Sequence, residues 1–167
     1  MPATENSSLA RWFLVLLVAA AAVMAPACSG GGKKKRGGVE SYQTDKAQLS
    51  VKPGTVIDID LAKTEEARNR AAQDQFALCE TCGLMLAYGA DVNGRFSTEG
   101  MKMDVDAVWM NHFTVIGIAT DLKAPTGGQP VSTSLSPGKA TELLLLSAGG
   151  VSRLGITQGM NLQLMKS

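Results

Sequence analysis

The sequence predicts a mainly β (α+β) chain: one compact sandwich or barrel-like domain with one or two short helices. Three observations predict it. Short apolar runs alternate with polar residues, glycine turns recur along the C-terminal two thirds, and only two segments carry helix signals. Of 167 residues, 45% are hydrophobic, 19% charged and 18 in number are glycine. That length suits one domain with appendages.

The elements follow in order. Pro53-Gly54 is a turn, and Thr55 to Leu61 is a strand with Ile57, Ile59 and Leu61 on one face and Asp58 and Asp60 on the other. Thr64 caps a helix whose first turn holds Glu65 and Glu66, running to about Gln75. Phe113 to Ala119 is a β-branched strand, and Pro125 to Pro130 is a loop. Ser136-Pro137-Gly138 reads as a tight turn and Glu142 to Leu146 as a buried strand. Ser147 is placed to cap one helical turn that Gly155 ends, and Asn161 to Met165 closes the domain.

Charge is unevenly distributed although the net is +1. Residues 29–48 hold five basic and two acidic groups, whereas 49–167 hold ten basic and twelve acidic. The domain is therefore mildly acidic, which argues against a partner bound through its phosphates: no nucleic acid is expected. The single histidine, His112, excludes mechanisms that need two.

Residues 1–28 read as a lipoprotein-type signal peptide. Arg11 precedes an apolar run from Trp12 to Met24 that is shorter than the ~20 residues of a spanning helix. Ala25-Pro26-Ala27-Cys28 resembles the lipobox of bacterial lipoproteins, which implies a lipid on Cys28 as the new N-terminus; the same residues also fit simple secretion. Residues 29–48 are a Gly/Lys-rich tether, and 49–167 are the β-rich domain. Lys33-Lys34-Lys35-Arg36 in the tether could add attraction to anionic headgroups or simply be solvated. Ser29 after the cysteine resembles lipoproteins sorted to the outer membrane. The expected location is the bacterial envelope, facing the periplasm, with the membrane and an envelope protein as partners.

Cys79-Glu80-Thr81-Cys82 is the sharpest local motif. With Cys28 lipidated, the other two of the three cysteines form an even pair, read as a structural disulfide, a metal ligand pair or a redox dithiol. Met85, Met101, Met103, Met110 and His112 lie near it in sequence. Thiolate, thioether and imidazole suit copper, so Cys79, Cys82, Met101, Met103, Met110 and His112 form a candidate soft-metal set, against the alternative of core methionines. Met101 and Met103, and Met110 and His112, are spaced to share strand faces. Asp104 and Asp106 have the same spacing and could act as acid and base or bind a cation, but read better as a solvated face, as do Asp58 and Asp60. Ser136 and Ser147 lack a partner set for nucleophilic catalysis, and Trp109 reads as a core anchor.

The C-terminal third carries a resemblance. Ser136-Pro137-Gly138-Lys139-Ala140, Glu142 to Leu146, Ala148-Gly149, Arg153-Leu154-Gly155-Ile156 and Gly159 follow one another as in the uncharacterised bacterial and archaeal family called domain of unknown function 192. Ile57 to Arg68, Gly83-Leu84-Met85 and Trp109-Met110 echo earlier segments of that family. Asn111 and His112 stand where the family has Lys-Asn, and Ile116-Gly117-Ile118 where it has Leu-Asp. The resemblance implies a compact β-rich fold and no established reaction. The resulting functional expectation is a lipid-anchored, non-enzymatic binding or interaction module without a cofactor. A copper-handling protein is the alternative, and a thiol-disulfide redox protein the third reading.

Overall fold

The computed structural model describes residues 43–74 and 77–165. The signal segment and Cys28 lie outside them. Among the described residues, seven strands and two helices follow in the order β1 (Asp45–Lys52), β2 (Thr55–Ala62), α1 (Glu65–Asp74), β3 (Cys82–Ser97), β4 (Val105–Asn111), β5 (Thr114–Leu122), β6 (Thr133–Ser147), α2 (Gly150–Leu154) and β7 (Gln163–Met165). β1 begins at Asp45, so the last residues assigned to the tether from sequence belong to the sheet.

One seven-stranded sheet has the order β5-β4-β6-β3-β2-β1-β7. All neighbours run antiparallel except β2 and β3, whose parallel pairing requires a crossover, and α1 supplies it. The start of β5 meets the segment that leads into β7. Thr114 bridges Asn161, the Val115 N–H donates to the Met160 carbonyl at 2.8 Å, and the Leu162 N–H donates to the Phe113 carbonyl at 2.9 Å. The sheet therefore curls toward a barrel, within the mainly β class that the alternation predicts.

The central strands of the sheet are buried on both faces. Inside the curl pack Leu49, Ile57, Ile59, Met85, Val108, Met110, Leu144 and Leu146. On the other face Leu84, Leu86, Ala107, Trp109, Leu143 and Leu145 meet Ala67, Ala71 and Ala72 of α1. Two-sided burial explains why Leu143 to Leu146 is an unbroken apolar run. The α1 cap is as expected, since Thr64 Oγ1 accepts from the Ala67 N–H at 3.1 Å.

Three local expectations are corrected. Ser136-Pro137-Gly138 is not a turn but lies inside β6, where these residues loop out of the ladder opposite Gly94 between the pairs Asn93–Lys139 and Arg95–Leu135. Such an irregularity is where a strand tolerates proline. The strand expected from Phe113 starts at Thr114, because His112 (φ 47°) and Phe113 (φ 62°) form a left-handed two-residue turn. Thr141 Oγ1 and Glu142 Oε2 accept from the N–H groups of these two residues and hold the turn. Ser147 does not cap α2. Gly149 occupies that position without a side-chain bond, and the Val151 N–H donates instead to Asp106 Oδ2 at 3.0 Å. Gly155 ends α2 in the left-handed conformation, as expected.

Trp109 is 1% exposed, and its Nε1 donates to Ser134 Oγ at 2.9 Å. Gly94 lies flat against its ring, and a Cβ built there would collide with it. Gly94→Ala should therefore destabilise the fold by about 1–3 kcal/mol through overpacking. A urea midpoint equal to that of the parent would contradict this contact.

Candidate functional site

Cys79 and Cys82 are joined by a disulfide with Sγ atoms 2.03 Å apart. The bond sits on the return from α1, with Cys82 the first residue of β3 and in register with Asp58. It therefore precedes a strand, whereas a reactive C-x-x-C thiol is activated at a helix N-terminus. Beside Cys82, a shallow groove of about 550 Å³ crosses β1 and β2 and is lined by Lys46, Gln48, Asp58 and Asp60. Its charges are partnered across the strands. Gln48 Nε2 donates to Asp58 Oδ1 at 3.0 Å, and Lys46 pairs with Asp60.

The remaining candidate metal residues are not brought together. Met101 is 2% exposed in the core under α1, and Met103 packs against the same cluster. Met110 and Met85 are fully buried on the opposite face of the sheet, inside the curl. The expected face-sharing pairs do not form: Met101 and Met103 lie in the loop before β4, and His112 is exposed on the β4–β5 turn while Met110 is internal. Among the described residues, no three His, Cys, Asp or Glu side chains form a metal-sized group.

Asp104 and Asp106 grip backbone. Asp104 precedes β4 and accepts from the Ala124 N–H at 2.9 Å and from Lys123 Nζ at 3.1 Å. The Ala124 amide first, and then Lys123, hold its carboxyl below the usual 3.8. Lys123 is correspondingly raised above its usual 10.5, by Asp121 first and then by Asp104. Asp106 is buried and accepts from the N–H groups of Asp121, at 2.9 Å, and of Val151. It ties β4 to β5 and α2 and is not the solvated face expected of it. Ser136 Oγ accepts from the Gly94 N–H, and Ser147 Oγ from Arg153.

A second cavity was not legible in the sequence. Between α1 and β3 lies a cleft of about 190 Å³ lined by Arg68, Asn69, Gln73, Tyr88, Arg95 and Glu99. Arg68 Nη1 donates to the carbonyls of Lys63 at 2.7 Å and Ala87 at 2.8 Å, and its guanidinium lies 5.4 Å from the Tyr88 ring centroid. Tyr88 stacks on Trp109, with ring centroids 6.5 Å apart. Burial pushes the Tyr88 phenol above its usual 10.0, and Arg68 draws it partly back. Arg68 Nε and Nη2, and the side chains of Arg95 and Glu99, have no protein partner among the described residues. These residues come from a helix and a bulged strand with no common spacing, so no motif marks them. Arg68, Asn69 and Gln73 fall in the helix that the sequence predicts, but nothing in the sequence marks them as site residues.

The family model of domain of unknown function 192, described as Uncharacterized ACR, matches residues 47–164. No curated protein matches. Two solved structures share the fold. One is described as a candidate transcription regulator from Sinorhizobium meliloti, at 18% identity and a TM-score of 0.63, covering 76% of this chain and 98% of that one. The other is a protein of unknown function from Novosphingobium aromaticivorans, at 17% identity and 0.63, covering 75% and 88%.

Two outcomes follow from this geometry. Reduction of the disulfide opens only a four-residue loop, so it should cost about 2 kcal/mol and leave the domain folded. Urea unfolding with and without reductant measures this, and global unfolding on reduction would contradict it. Asp104→Asn should lower stability at neutral pH. Because the folded-state pKa is depressed, the Asp104 contribution is complete above the ordinary carboxylate value and lost as pH falls through the folded one. The difference in urea midpoint between parent and variant should therefore shrink from about pH 7 to about pH 2.5, and a constant difference would refute the role.

Proposed function

The chain belongs to the family of domain of unknown function 192, and from that premise we propose that it is a lipid-anchored envelope protein whose domain works as a non-enzymatic binding module. The observation that carries the binding reading is the α1–β3 cleft, a small concavity where several polar side chains converge on an aromatic wall. The groups lining it are suited to orient and neutralise a ligand. The carboxylates that could have served as an acid–base pair, Asp104 and Asp106, are engaged by backbone amides elsewhere.

The proposed location rests on the N-terminal sequence. Arg11, the apolar run and Cys28 supply the export and lipidation pattern, and the basic cluster of residues 33–36 would add attraction to anionic headgroups. One acyl chain alone holds a protein only marginally, so a second chain or that cluster is part of the proposal. The Cys79–Cys82 disulfide accords with an oxidising compartment. Ser29 favours the outer membrane, with the domain in the periplasm.

Intact mass of the full chain extracted from its own envelope tests this, before and after reduction. The expected species begins at Cys28, carries lipid on that residue, and gains two hydrogens on reduction. A mature chain without lipid would overturn the anchor. Reduced cysteines with bound copper would overturn the metal-free module and restore the soft-metal reading.

A further inference from the structure

We propose that the cleft between α1 and β3 binds a small zwitterion whose carboxylate and ammonium sit on the same or adjacent carbons, as in a free amino acid. The inference deepens the binding-module reading and rests on it. Two cations, Arg68 on α1 and Arg95 on β3, share the cleft with one anion, Glu99. No ion pair joins Glu99 to either arginine among the described residues. A simple anion would satisfy the arginines but bring like charge toward Glu99. A simple cation would meet two arginines. A ligand with both charges side by side answers all three groups at once.

The chemistry of each wall fits. A guanidinium presents N–H donors spaced for the two oxygens of a carboxylate. Arg68 is held before any ligand arrives, by the carbonyls of Lys63 and Ala87 and by the Tyr88 face. That preorganisation lowers the entropy lost on binding. Arg95 is exposed and completes the clamp from the opposite wall, while Glu99 accepts from the ammonium. The carboxamides of Asn69 and Gln73 offer both donors and acceptors to the rest of the ligand. A cavity of about 190 Å³ restricts the ligand to amino-acid size.

Calorimetric titration of the full chain in detergent tests the proposal with three probes: alanine, N-acetylalanine, which lacks the ammonium, and alaninamide, which lacks the carboxylate. Alanine should bind at least about tenfold more tightly than either blocked form, a difference of about 1.4 kcal/mol. Arg95→Ala should weaken alanine by a similar factor. Glu99→Gln should bring alanine down to the level of N-acetylalanine. Both residues lack structural partners, so the variants should keep the parent unfolding midpoint. Binding of N-acetylalanine equal to that of alanine, still dependent on Arg95, would overturn the zwitterion and leave the binding module standing. Alanine binding indifferent to Arg95→Ala, or no binding of any of the three probes, would overturn the proposal.

Discussion

Burial of the sheet's central strands on both faces is the constraint on which the rest of the structure depends. β4 is buried over six consecutive residues and β6 over seven. A strand in that position has no water for its polar groups, so each polar side chain it carries must find a protein partner. Asp106 takes the amides of Asp121 and Val151, and Glu142 takes the amide of Phe113 and the hydroxyl of Thr141. Trp109 Nε1 finds Ser134. Among the described residues no buried side-chain nitrogen or oxygen lacks a partner. The same bonds place the surrounding parts: Asp106 positions α2, and Thr141 with Glu142 positions the β4–β5 turn.

This constraint decides what was legible in the sequence. Strands with one wet face announce themselves by alternation, and Thr55 to Leu61 was read almost to the residue. Strands covered on both sides lose that period. The Glu142 to Leu146 run reads as a buried strand, but its continuation back to Thr133 is hidden by Ser136-Pro137-Gly138, residues that locally signal a turn. Their looping out of the ladder is compensated by long-range contacts, with Gly94 giving its amide to Ser136 and Gly117 lying under the Pro137 ring. The cap of α2 was misplaced for the same reason. Its acceptor, Asp106, lies 45 residues upstream, beyond any local pattern.

The candidate site divides along similar lines. The C-x-x-C spacing leaves a disulfide, a metal pair and a redox dithiol open, and the pairing of the two sulfurs is seen only in the fold. The methionines shared a sequence window, but alternation along a two-sided sheet sends neighbours in sequence to opposite cores, Met110 inward and Trp109 outward. The cleft was unreadable because its two walls join an α-helical period to a strand interrupted by register shifts at Ala87–Val92 and Asn93–Arg95. Those shifts bend β3 and determine which of its side chains face α1.

α1 links the disulfide to the cleft. It forms one wall of the cleft and is also the crossover between the parallel neighbours β2 and β3. That pairing spans five residue pairs, from Asp58–Cys82 to Ala62–Leu86, and parallel ladders are slightly less stable per residue than antiparallel ones. The disulfide closes the return from α1 at the first of these pairs, where the Asp58 N–H also donates to the Thr81 carbonyl at 3.0 Å. The disulfide fixes the turn that delivers Cys82 to that pair, and the Asp58–Thr81 bond fastens the turn to β2. At the other end, Arg68 reaches from α1 to the Ala87 carbonyl, just beyond the last pair. The crossover is therefore fastened at both ends of the parallel ladder. One of the two fasteners is a side chain of the cleft itself, so the register of β3 against β2 and the position of Arg68 over Tyr88 are set together.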